Sequence, residues 1–270
     1  MDKTSLKNME PMPPTPAPPP AAPPAPATSL ASRLMNVFAA PGEVFEEVKT
    51  TAISNANWLM PAILLIIISW VSAGLIYSQP AIRQQLGDLA DKAIDRQVEK
   101  GKIPNAQAEK VKPTAEKMAG VTYAISAAAG PPMVAFASPF WWGLILWLSS
   151  KALKGNFPYM KAVEAAGLAN MILVLEVVVR TLLILMTGNL FASPSLALTV
   201  KEFDPQNIVH SLLAVVNVML FWALIVRSIG LARLSGVSVG KAAIWVFGIW
   251  AAYTGTLIAL GAAMRAAFGG

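Results

Sequence analysis

Long apolar runs alternate with polar segments along this chain, and each run has the length of a membrane-spanning helix. A helix needs about 20 apolar residues to cross the hydrocarbon core of a bilayer. The runs predict five spans, at residues 58–77, 131–150, 168–188, 207–229 and 242–264. The pattern therefore predicts an all-α protein, a five-helix transmembrane bundle.

Two shorter patterns flank the first span. In segment 29–55, Leu30, Leu34 and Val37 recur at helical spacing, but the segment is too short and too polar to cross a bilayer. Such segments are typical of interfacial amphipathic helices. Segment 78–120 is rich in charged residues, carries a helical apolar pattern and contains the breaking sequence "GKIPN". It predicts a soluble helical hairpin.

The second apolar region, residues 121–150, is longer than one span and contains Pro131 and Pro132. Inside a helix, adjacent prolines would remove two backbone hydrogen bonds. At the first turn of a helix these donors have no partner in any case. The sequence therefore predicts that the pair begins the second span.

The N-terminal segment predicts a disordered cytoplasmic tail over residues 1–28, ahead of a membrane domain over residues 29–265. Ten of the seventeen residues in 11–27 are proline. Such segments adopt extended polyproline II or no fixed structure. The spacing from Pro13 to Pro16 could dock a proline-reading module. A plain alanine-proline spacer is the alternative.

Composition agrees with a membrane protein and excludes several other classes. Hydrophobic residues make up 55% of the chain and charged residues 13%, against about a quarter charged in soluble domains. The net charge of +6 suits anionic lipid headgroups, and no basic-aromatic array indicates nucleic acid. The absence of cysteine excludes disulfides and thiolate metal sites.

Positive charges in short loops predict the orientation of the bundle. The cations of the loops after spans two and four are Lys151, Lys154, Lys161, Arg227, Arg233 and Lys241. The loop at 189–206 holds only Lys201, and the C-terminal end only Arg265. We expect a multi-pass protein of the cytoplasmic (inner) membrane, with a cytoplasmic N-terminus, an extracytoplasmic C-terminus and an extracytoplasmic hairpin.

Two charged residues interrupt the third span. Glu176 and Arg180 are four residues apart, the favourable order for a helical ion pair. A lone charge at the bilayer centre costs at least about 2.5–3.5 kcal/mol, so we expect both to face the bundle interior or an aqueous cavity. The guanidinium of Arg180 would keep spare donors, for which Asn217 of the fourth span is a candidate partner, and Asn170 could help. The pair could be a transport site or a buried contact that fixes helix packing.

The remaining motifs do not indicate catalysis. "GVSVG" at 236–240 matches the G-x-S-x-G esterase pattern, but that elbow needs a histidine base within hydrogen-bond reach. The only histidine, His210, is predicted at the opposite end of the bundle from Ser238. The sequence predicts no catalytic site, no cofactor and no metal site, and therefore no enzyme.

Span five carries a stripe of small residues at four-residue spacing: Ala251, Gly255, Ala259 and Ala263. Such stripes let membrane helices pack closely. The stripe could pack inside the bundle or form the contact of a homo-oligomer.

Several segments together resemble a known family. They are "FAAPGEVF" (38–45), the "W-x-x-P" start of span one, "GNFPYMKAVEAAGLANM" (155–171) and "GLARLSGVSVGKAAIWVFGIW" (230–250). The chain resembles the bacterial branch of the YIP family, whose eukaryotic members are Rab-GTPase-interacting membrane proteins. The resemblance implies five spans, a cytosolic N-terminus and a C-terminus across the membrane. In eukaryotes it implies roles in vesicle trafficking, GTPase recruitment and membrane shaping, but the D-L-x-G-P motif tied to Rab binding is missing here.

These observations predict a non-enzymatic scaffold or membrane-organising protein that sits in a lipid bilayer and recruits protein partners. The alternative is a transporter or channel that uses the Glu176/Arg180 pair.

Overall fold

The computed structural model describes residues 28–268, apart from the side chains of the last four. Within this range, ten α-helices follow one another, with one 3₁₀ turn at Leu196–Thr199. They are α1 (Leu30–Ala39), α2 (Pro41–Thr50), α3 (Ala56–Ser78), α4 (Pro80–Glu99), α5 (Asn105–Ala152), α6 (Tyr159–Ala169), α7 (Met171–Thr187), α8 (Ile208–Val215), α9 (Val218–Ser235) and α10 (Val239–Phe268). The predicted disordered tail lies outside the described residues, except for Thr28.

Five helical stretches are long and apolar enough to cross a membrane, which confirms the predicted fold class. These are Ala56–Ser78, Asn105–Ala152, Tyr159–Thr187, Val218–Ser235 and Val239–Met264. The third stretch joins α6 and α7, which are separated only by a turn at Asn170. It starts nine residues before the predicted span, so Glu176 and Arg180 lie past its midpoint, toward Thr187.

A single helix, α5, forms the second arm of the hairpin and continues without a break into the second span. The prediction that Pro131 and Pro132 begin a helix was therefore wrong. Both prolines lie inside α5. Pro132 removes the backbone donor that would normally bond the carbonyl of Ala128. The indole Nε1 of Trp70 on α3 donates to that carbonyl at 3.1 Å. A donor from a neighbouring helix therefore replaces a backbone bond lost inside α5.

The fourth span starts later than the sequence pattern predicts, because the predicted helix over 207–229 is divided in two and only Val218–Ser235 has membrane length. α8 ends at Val215 and α9 starts at Val218. The residues between them bond to the preceding loop: Leu196 N donates to Val216 O at 3.1 Å, and Val218 N donates to Pro194 O at 3.0 Å. The backbone groups at this break are therefore satisfied by other protein groups.

The N-terminal helices belong to the main core. Val37, Phe45 and Val48 are fully buried and share one apolar cluster with residues of α6 and α9. The apolar face of α1 and α2 is thus covered by protein, and a location at the membrane interface stays a prediction.

Two glycines differ in how closely a neighbouring helix approaches them. A Cβ added to Gly167 on α6 would lie 2.4 Å from the Cα of Trp58 on α3, so only glycine fits there. A Cβ added to Gly255 on α10 would meet nothing within 4 Å. The small-residue stripe of α10 is therefore not packed at Gly255 against the described chain.

Candidate functional site: polar contacts inside the bundle

Polar side chains of α6 and α7 contact neighbouring helices at three levels. At the first level is the N-terminal network, formed by Arg33, Glu47, Asn57, Lys161 and Glu164. At the second is the arginine cluster, formed by Ser138, Trp142, Asn170 and Arg227. The third is the contact between Glu176 and Asn217.

The N-terminal network is centred on Glu164, whose side chain is fully buried. Asn57 Nδ2 donates to Glu164 Oε2 at 2.6 Å, and Lys161 Nζ lies 3.2 Å from Glu164 Oε1. Lys161 Nζ also donates to the carbonyl of Ala52 at 3.2 Å. The buried carboxylate is thus both charge-paired and hydrogen-bonded, which buried charges require.

The same network extends to the N-terminal helices. Arg33 Nη1 donates to Asn57 Oδ1 at 3.3 Å, and Arg33 Nη2 lies 3.0 Å from Glu47 Oε1. Thr28 donates to Glu47 from both its backbone nitrogen and its hydroxyl. Burial raises the pKa of Glu47, but the hydrogen bonds from Thr28 and the charge of Arg33 outweigh it and lower that pKa below 4.5. Charged contacts therefore fasten the start of the described chain to α3 and α6.

The arginine cluster lies at the next level. Arg227 is 1% exposed, although the sequence pattern places it at the edge of a cytoplasmic loop. Its Nη2 donates to Asn170 Oδ1 at 2.9 Å, and its guanidinium lies 4.2 Å from the ring centre of Trp142. Ser138 Oγ donates to the same Asn170 oxygen at 3.3 Å. Arg227 therefore cannot be counted as a loop cation, because α9 runs eight residues beyond it to Ser235.

The residues predicted as an intramembrane polar site are only partly brought together. Asn217 Nδ2 donates to Glu176 Oε1 at 2.7 Å. The other end of the Asn217 amide caps α9, since its Oδ1 accepts from Met219 N and Leu220 N. Arg180 is exposed, and no salt bridge joins it to Glu176 among the described residues. The expected Asn170 contact goes to Arg227 instead, and the role of these residues stays a prediction.

Sequence reasoning missed the N-terminal network and the arginine cluster. Lys161 and Glu164 stand in a stretch that reads as a charged loop between two spans. One signal was available: "AVEAAGLA" around Glu164 is rich in the small residues that allow close helix packing. The pairing of Asn57 with Glu164 joins positions 107 residues apart, which spacing along one helix cannot reveal.

A cavity of about 1020 Å³ lies between α4 and the segment 187–206. Gln85 lines the cavity and joins its two walls: its Nε2 donates to the carbonyl of Gly188, and its Oε1 accepts from the backbone nitrogen of Leu190. Arg96 and Asp204 also line the cavity, and they form a salt bridge in which Arg96 Nη2 lies 2.8 Å from Asp204 Oδ2. The cavity is lined by apolar residues and by charges of both signs.

The described residues contain no group of three or more His, Cys, Asp or Glu side chains that could hold a metal ion. His210 Nδ1 accepts a hydrogen bond from the backbone nitrogen of Asp204 at 3.0 Å. This contact gives His210 a structural role in the loop.

The five apolar helices and the polar contacts between them define a multi-pass helical membrane protein. The family model of the Yip1 domain matches residues 35–260, so the chain belongs to this family, as the resemblance in its sequence indicates. No curated protein and no solved structure matches the chain.

Proposed function

We propose that this protein is a non-enzymatic membrane scaffold that recruits protein partners through its N-terminal segment. The observation that carries the proposal is the N-terminal network, which fastens Thr28, α1 and α2 to the bundle. The proline-rich tail ends at Thr28, so a partner bound to the tail would be tethered to the bundle at this point.

Recovery of partners tests this role. The full chain is crosslinked in membranes, extracted in mild detergent and compared with two variants. One variant lacks residues 1–27, and the other carries Pro13→Ala and Pro16→Ala. We expect a specific protein partner with the full chain and its loss in the deletion. Loss in the double variant as well would identify PxxP docking, whereas recovery of no specific partner by the full chain contradicts the proposal.

We infer that the protein lies in the cytoplasmic membrane with a cytoplasmic N-terminus and an extracytoplasmic C-terminus. Lys151, Lys154, Arg233 and Lys241 support this orientation. The chain has no cysteine, so Thr28→Cys and Gly270→Cys each introduce a single label site. An impermeant maleimide applied to sealed vesicles should reach only one of them. Equal labelling of both overturns the orientation.

Transport is the second candidate function, because the break between α8 and α9 lies at the residue that contacts Glu176. Discontinuous helices form the substrate and ion sites of many transporters. Purified protein in liposomes with a pH-sensitive dye measures proton flux for the wild type, Glu176→Gln and the exposed control Glu202→Gln. Flux that is lost only in Glu176→Gln, with unchanged thermal stability, supports transport. Loss of stability without any flux in the wild type supports a packing role.

A homo-oligomer through α10 stays a prediction. The open surface at Gly255 is compatible with it, and lipid could cover the same surface. Crosslinking of Gly255→Cys between copies in membranes supports the contact, and its absence at Gly255 and at Ala259→Cys contradicts it.

A further inference from the structure

The arginine cluster contains a buried positive charge without a negative partner. Arg227 is one of the largest fully buried side chains, and arginine stays protonated in proteins. Among the described residues, no Asp or Glu forms a salt bridge with it. By contrast, the buried Lys161 has Glu164 at 3.2 Å. A buried ion is normally paired because desolvation is costly.

The cluster is also short of hydrogen-bond acceptors. Arg227 Nε is buried and has no hydrogen-bond partner. Asn170 Oδ1 already accepts from both Arg227 and Ser138, which uses its two lone pairs. The ring face of Trp142 attracts the cation but carries no full negative charge.

We infer that Arg227 and Asn170 form a binding site for a small monovalent anion such as chloride. An anion supplies both of the missing elements, a negative charge and an acceptor for free N–H donors. A bound water would satisfy a donor but would leave the charge uncompensated. Arg227 and Asn170 are each 1% exposed, so the site is too enclosed for a lipid phosphate and favours an ion of atomic size.

Chloride dependence of thermal stability tests the site. The full-length protein in detergent is titrated with sodium chloride against sodium gluconate at constant ionic strength, and Tm is followed by tryptophan fluorescence. The wild type should show a saturable rise of Tm with chloride, because a ligand of the folded state stabilises it by mass action. The exposed control Arg233→Gln, on the same helix, should show the same rise. Equal Tm values in chloride and gluconate for the wild type overturn the proposal.

A second variant supplies the missing charge within the chain. Asn170→Asp has nearly the same shape and places a carboxylate beside the Arg227 guanidinium, where the amide oxygen lies 2.9 Å from Nη2. We expect it to raise Tm in gluconate and to abolish the response to chloride. Arg227→Met should also abolish the response, provided that it folds. A chloride response that persists unchanged in Asn170→Asp overturns the proposal even if Arg227→Met fails to fold.

Discussion

The N-terminal network and the arginine cluster both contain buried charged side chains, but different chemical groups surround the charges in the two sites. Both bury charge between helices, and both use an asparagine to link two elements. In the network, Glu164 pairs with Lys161, and the Asn57 amide joins this pair to Arg33. In the cluster, Arg227 has only an amide oxygen and an aromatic ring. The comparison shows that burial of a charge does not by itself reveal whether the surrounding chain neutralises it.

The largest expected effect comes from removal of the central carboxylate of the network. Glu164→Ala leaves Lys161 buried without its partner, which typically costs about 3–5 kcal/mol of folding stability. Thermal unfolding in detergent, followed by tryptophan fluorescence, measures the loss.

The matched control for this change is the double variant Lys161→Met with Glu164→Leu. Replacement of a whole buried pair by apolar residues is often close to neutral, so the double variant should recover most of the stability. A double variant that is less stable than Glu164→Ala would contradict the assignment of the loss to an unpaired charge.

A smaller effect is expected from removal of the amide in the arginine cluster. Asn170→Leu deletes the hydrogen bond to Arg227, and such bonds to charged groups contribute about 1.5–3 kcal/mol. Chemical unfolding of the purified protein measures the change. Thr187→Leu, at the exposed end of the same helical stretch, controls for added apolar bulk. Equal stability of wild type and Asn170→Leu would show that the hydrogen bond from Arg227 to Asn170 does not contribute to stability.

The smallest effect is a pH dependence of the N-terminal attachment. Since the folded-state pKa of Glu47 lies below its ordinary value of 4.5, its charged form stabilises the fold at neutral pH. That contribution begins to fall as the pH drops below about 4.5 and is lost as it passes through the lowered pKa. Limited proteolysis near Thr28 at pH 7 and at decreasing pH measures release of the segment.

Glu47→Gln is the control for the pH experiment. It should show faster cleavage at pH 7 and less dependence on acid than the wild type. Identical pH profiles for the two proteins would remove Glu47 from the attachment. Glu43→Gln, an exposed change in the same helix, should match the wild type.

The sequence predicted those features that depend on regular spacing. Apolar length identified the five spans, and helical periodicity at Leu34 and Val37 identified the buried face of α1. The break at Val216–Asn217 was missed because its backbone groups bond to residues about twenty positions earlier. Depth along the chain suggested Asn217 as a partner for Arg180, whereas in the structure its amide donates to Glu176. The arginine cluster was missed because a basic residue near the end of an apolar run looks like part of a loop.

α5 is one continuous helix that runs from the hairpin to the end of the second span. Its 48 residues form a rod about 70 Å long at the helical rise of roughly 1.5 Å per residue. One tip lies in the hairpin beside α4, and the other at Ala152, just before the loop that leads to Tyr159. The hairpin and the loop before Tyr159 are therefore joined by one continuous helix, and the prolines inside α5 are the positions where such a helix bends.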